Sequence, residues 1–168
     1  ALSDLSVNAI KVTYTEPDQA SGLIFLAQEA ARLGLRLMVE IPALSPIQPD
    51  MEKAAMLIRE AGLASTPSVC AILFHAEDFL DTPEERRRLD PAWRQWLIEQ
   101  YGSLKRAEKW MGKPSWGETG SLSGPSADDL AGLERHAMAT IIYRRFAEDY
   151  LSRQYGRLTR FVRSLGCR

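Results

Sequence analysis

The sequence predicts an α/β chain in which parallel βαβ units lead into a helix-rich C-terminal half. Three observations carry this expectation. Through residues 1–80, short runs of β-branched and apolar residues alternate with amphipathic stretches at helical spacing. The strand-like runs are close to continuously apolar, as in parallel sheets covered on both faces. Through residues 81–168 the strand signals stop and the pattern becomes helical.

Taken in order, ALSDLS at the start reads as the tail of a helix feeding the first strand. VNAIKVTY, 7–14, alternates apolar and polar residues around β-branched side chains and is read as that strand. In EPDQASGLIFLAQEAARLG, Asp18 is the expected N-cap. Leu23, Ile24, Leu26, Ala27, Ala30, Ala31 and Leu33 recur at helical spacing, and Gly34 supplies the stop. LRLMVEIP, 35–42, is a second strand closed by Pro42. A helix then runs from Asp50 to about Ala61, stopped by Gly62, and PSVCAILFH, 67–75, is the third strand.

In the second half, Thr82-Pro83-Glu84-Glu85 forms a capping box with proline at the first helical position. Asp90-Pro91 opens a helix carrying Trp93, Trp96, Leu97 and Tyr101. Gly102 interrupts it, and Leu104 to Met111 forms another. Residues 112–126, rich in Gly, Ser and Pro, read as a long loop. Ser126 and Asp129 cap a last helical region from about Ala127 to Leu165, long enough that a break is expected within it. The chain closes on SLGCR, which repeats the device of RLGLR at 32–36, where a helix gives way to a strand. By that analogy Arg168 stands at the threshold of a further strand, and the chain is expected to be a segment of a larger α/β protein.

Bulk composition narrows the function. The 168 residues suffice for one domain with a core, and 45% hydrophobic with 26% charged is ordinary for a globular protein. A net charge of -1 and a pI near 6.2 give no basic excess for nucleic acid or an anionic membrane. No run of about 18 apolar residues marks a membrane span, no signal pattern opens the chain, and the localisation stays open. The two cysteines, Cys70 and Cys167, exclude a disulfide framework, and with His75 and His136 as the sole histidines no spacing fits a zinc site. Cys70, inside an apolar run, is expected to be a buried small hydrophobe. The glycines of 112–124 follow no strand and show no phosphate-loop spacing, so no nucleotide cofactor is expected.

Three βα units followed by a helical excursion fit part of a (β/α)8 TIM barrel, where chemistry sits at the C-terminal ends of the strands. Those ends here are Tyr14-Thr15-Glu16, Glu40-Ile41-Pro42 and His75-Ala76-Glu77-Asp78, and each carries a carboxylate. Together with Trp93, Trp96-Leu97, Tyr101-Gly102-Ser103-Leu104, Trp110-Met111-Gly112 and Trp116, this order resembles cellulase-like retaining glycoside hydrolases. It is most similar to family 42 β-galactosidase-like proteins, over residues 5–165. The resemblance implies Glu77 as general acid/base, protonating the glycosidic oxygen and later activating water. The family's Asn before that acid is Ala76 here. The family's second carboxylate comes from a later strand. None of Glu99, Glu108, Glu118, Glu134 or Glu148 has a strand-like context, so this chain alone is expected to be inactive.

Other residues take supporting roles. His75 is a candidate substrate or proton partner, and Asp78 an orienting or capping group. Glu16 and Glu40 are candidates for sugar hydroxyls at the barrel mouth. Trp110 and Trp116 flank the Gly-rich loop and are candidates to stack on a sugar ring, whereas Trp93 and Trp96 are expected in the core. EERRR, 84–88, reads as a solvated helix face. The expected partners are a carbohydrate substrate and either further copies of the chain or the remainder of the barrel, because a partial barrel exposes sheet edges. No cofactor and no metal are expected. A non-catalytic carbohydrate-binding or scaffold module is the alternative, with Ala76 in its favour. A small complete enzyme would need a nucleophile–base pair that the sequence does not display.

Overall fold

The structure, a computed structural model, describes residues 8–75, 87–111, 124–125 and 133–167. The helix tail expected at 1–6, the Thr82–Glu85 capping box, the Ser126–Asp129 cap and most of the 112–126 loop lie outside them, as do Ala76, Glu77, Asp78 and Trp116. The chain divides into two compact units, Ala1–Glu77 with Gln154–Arg168, and Asp78–Arg153.

The first unit holds β1 (Ala9–Thr13), α1 (Ala20–Arg32), β2 (Arg36–Ile41), α2 (Met51–Glu60) and β3 (Val69–Phe74). The strands form one sheet in the sequential order β1-β2-β3, with both pairs parallel. Thr13 pairs with Glu40 and Glu40 with Leu73, so the strands finish at one level. Leu37, Val39 and Ile41 are fully buried on one face of β2. They pack with Leu23, Ala27 and Ala30 of α1, Ala54, Leu57 and Ile58 of α2, and Leu158, Val162 and Cys167 near the chain end. Each Leu, Ile or Val among them contributes about 1.5–3 kcal/mol through its burial. Strand alternation turns Met38 and Glu40 to the other face, where the register sets Lys11, Thr13, Ala71 and Leu73 beside them. That face is half-buried and partly charged, so β2 reads buried-in, half-open-out and lacks the two equally apolar faces expected from its composition.

Several local expectations are corrected. The strands are one to two residues shorter at each end than the apolar runs. Asp18 does not cap α1. Pro17–Gln19 winds a single 3-10 turn first, and the side-chain oxygen of Gln19 accepts from the backbone N–H groups of Thr15 and Glu16 at 3.1 and 3.3 Å. Asp50 does cap α2, accepting from the Lys53 N–H at 2.9 Å. Cys70 is exposed, because β3 has a neighbour on one side among the described strands. The ladder also slips between Leu37 and Met38, which leaves Cys70 as the extra residue opposite them.

The second unit contains α3 (Asp90–Tyr101), α4 (Leu104–Met111) and the first part of α5 (Leu133–Ser164). Gly102 ends α3 at φ 79°, a left-handed cap that side chains avoid. Trp93 and Trp96, buried as expected, stack with centroids 5.8 Å apart. Tyr143 and Phe146 meet Trp93 at 5.2 Å each, and Trp96 Nε1 donates to Asp149 at 3.0 Å. Among the described residues the break expected in the last helix is absent: α5 runs unbroken for 32 residues. Its buried positions Ala139, Ile142, Tyr143, Phe146 and Ala147 keep helical spacing within this unit, and packing supplies what length alone does not.

Candidate functional site

Glu40 and His75 lie near the C-terminal end of the sheet and Lys11 in the middle of β1, whereas Arg36 stands at the opposite end of β2. Lys11 and Thr13 alternate with Val12 on β1 and so share a face, and Glu40 stands beside Thr13 on β2. His75 lies two residues beyond Leu73, which pairs with Glu40, so it comes off β3 beside the same carboxylate.

Glu40 is the centre of this group. Its Oε2 accepts from Lys11 Nζ at 2.9 Å and from Thr13 Oγ1 at 3.1 Å, while Oε1 lies 3.3 Å from Nδ1 of His75. The Glu40 side chain is 13% exposed, against 52% for Lys11 and 38% for His75. The hydrogen bond from Lys11, helped by those from His75 and Thr13, holds the carboxyl below its ordinary 4.5 against the opposing effect of burial. Glu40 is therefore an ionised acceptor at neutral pH and does not act as a general acid there. A carboxylate offers about four lone-pair sites, so with three donors seated it keeps one for a ligand hydroxyl.

Glu16 makes a separate pair. Its Oε1 lies 2.7 Å from Lys53 Nζ on α2, and the side chain is 56% exposed. The Gln19 oxygen, also bonded to the Thr15 hydroxyl at 3.2 Å, fixes the short turn that carries Glu16 off β1. Trp110 lies on α4 of the second unit and is 70% exposed, a ring face open to solvent.

Of the residues selected from sequence, Glu40 and His75 are brought into contact, and Glu16 is bound to Lys53 instead. Glu77 and Trp116 fall outside the described residues. Sequence reasoning missed Lys11, Thr13 and Lys53. Lys11 and Thr13 were visible in principle, because two polar residues spaced by two in a strand must share a face with whatever pairs beside them. Lys53 carried no such signal, since its partner is 37 positions away.

Two concavities lie in the first unit. One, of about 570 Å³, is open and polar, formed by Pro42, Ser45, Gln48, Asp50 and Glu52 in the loop and first turn after β2. The other, of about 500 Å³, lies along β3 between Val69, Cys70 and Cys167, away from Glu40. Among the described residues, no group of three or more His, Cys, Asp and Glu side chains is placed to hold a metal ion. No helix among them is long and apolar enough to cross a membrane. No family model, no curated protein and no solved structure matches this chain.

Proposed function

We propose that the chain is part of a (β/α)8 glycoside hydrolase, similar to family 42 β-galactosidases, that cleaves glycosidic bonds with retention. The observation that supports this best is the sequential, all-parallel order β1-β2-β3, with Glu40 and His75 in contact where the strands end. Barrel enzymes build their sites at that end of the sheet. Glu77, two residues beyond His75, serves as general acid/base: it protonates the departing oxygen and then deprotonates the attacking water. The nucleophilic carboxylate, about 5–5.5 Å from it in a retaining enzyme, comes from a later strand. On this reading the chain by itself is inactive and needs the remainder of the barrel or a second copy. Glu40 and His75 form the wall of the sugar site, and Glu16 borders it. The chemistry calls for no metal and no cofactor.

The test is hydrolysis of an aryl β-galactoside by the protein encoded by the complete reading frame containing this chain. The first-formed sugar, followed by proton NMR, is expected to keep the β configuration. On a galactoside with a poor leaving group, Glu77→Gln is expected to lower kcat/KM by about 10²–10⁴-fold. First appearance of the α-anomer, or full activity in the variant, contradicts the reading.

A second reading draws on Ala76, which stands where the family has Asn. It makes the chain part of a non-catalytic carbohydrate-binding module. Calorimetric binding of galactosides with no hydrolysis by the same protein would select it.

A further inference from the structure

The contact between Glu40 and His75 has a defined proton arrangement at neutral pH. Lys11 Nζ and Thr13 Oγ1 both donate to Glu40 Oε2, at 2.9 and 3.1 Å. With that support the carboxylate stays ionised, and an ionised carboxylate only accepts. Nδ1 of His75, 3.3 Å from Oε1, is thus the protonated nitrogen. In a neutral imidazole the other nitrogen then carries the lone pair. Among the described residues, the charged groups bonded to this pair or within it are Lys11 from β1 and Glu40 from β2. Lys11 is itself bonded to Glu40, so its charge is directed at the carboxylate.

We propose that Glu40 is a positioning residue that fixes His75 as the Nδ1–H tautomer, so that Nε2 of His75 serves as acceptor and base for a hydroxyl-bearing ligand. Glu40 then acts mainly through the imidazole. The arrangement is that of a carboxylate orienting a histidine, in which the second nitrogen is presented to the reacting group. The tautomer rests on the geometry of this chain. Only the ligand class, a sugar hydroxyl, rests on the proposed glycoside hydrolase reading.

Two-bond proton–nitrogen correlation on the ¹⁵N-labelled chain at neutral pH tests the proposal. The chain has only two histidines, and His136→Asn identifies the other set of signals. In the wild type, Nδ1 of His75 is expected to resonate as a protonated nitrogen and Nε2 as an unprotonated one. Glu40→Gln is expected to reverse this. Lys11 and Thr13 will claim the amide oxygen, so the amide N–H faces Nδ1 and drives the proton to Nε2. Methyl β-D-galactopyranoside is expected to shift Nε2 of the wild type, and not of the variant, as a hydroxyl donates to it. A wild-type Nε2–H tautomer, or a titration that leaves Nε2 unmoved, overturns the proposal. The wild-type spectrum needs no variant, so a failure of Glu40→Gln to fold does not shield the claim. If Nε2 responds as expected and the protein encoded by the complete reading frame hydrolyses no galactoside, the hydrolase reading fails and the Glu40–His75 assignment stands.

Discussion

Tyr14 is 1% exposed, and its hydroxyl has no hydrogen-bond partner among the described residues. Burial, with Glu60 and Asp18 adding to it, pushes the phenol above its ordinary 10.0, so the group is a neutral and unsatisfied hydroxyl. Tyr14→Phe is expected to raise the unfolding free energy by about 1 kcal/mol in urea titration; a loss of stability would show that the hydroxyl is bonded in solution. Glu40 gives a pH dependence of definite sign. Its folded pKa lies below the ordinary 4.5, so its contribution is complete above that value and is lost as pH falls through the lower folded pKa. The stability gap between wild type and Glu40→Gln is therefore expected at pH 7 and should close in strong acid. A gap independent of pH would assign the effect to packing. Cys70 is exposed and Cys167 buried, with the Cys167 thiol pushed up by that burial. A thiol reagent is expected to label one cysteine rapidly in the native chain and two after unfolding. At this scale the strand-end residues Glu16, Glu40 and His75 were legible, because sharp polar endings to apolar runs are local features. The exposure of Cys70 was not, since it depends on a ladder slip and on which strand lies at the edge.

Helix endings were the most legible elements. Gly34 and Gly166 both close helices at positive φ, 70° and 90°, and both N–H groups reach back three residues, to Ala31 at 3.1 Å and Arg163 at 3.0 Å. The matching Leu-Gly pairs in the sequence thus encode one turn used twice. Asp18 misled because a preceding proline and a Gln side chain favour a short 3-10 turn, which moves the helix start beyond the aspartate. The continuity of α5 was hidden for another reason. The break was expected from length alone, which says nothing of the packing of Leu158 and Val162 that holds the helix continuous past Gly156. A Cβ at Gly156 would meet nothing closer than the flexible end of Arg160 at 3.8 Å. Gly156→Ala is expected to stabilise the chain by about 0.5–1 kcal/mol in thermal or urea unfolding. Destabilisation would place a real interruption there.

For the molecule as a whole, the described sheet has two edges, β1 and β3, each with one strand neighbour. Unpaired strand edges invite pairing with another chain. Sedimentation of the isolated chain is expected to show self-association that strengthens with concentration, and a strict monomer would count against an open partial barrel. The parallel α/β class was readable from hydrophobic period alone, because that signal is summed over many residues. The partner across the strand ends was not, because it depends on register between segments about 30 residues apart. The central claim, that Glu77 is the general acid of a retaining glycoside hydrolase, is tested most directly by leaving-group dependence. Galactosides with a poor and a good leaving group are compared in the complete protein and in its Glu77→Gln variant. A general acid matters when the departing oxygen needs a proton. The account predicts that the variant loses about 10²–10⁴-fold on the poor leaving group and far less on dinitrophenyl galactoside in the glycosylation step. An equal loss on both, or no loss on either, would contradict it.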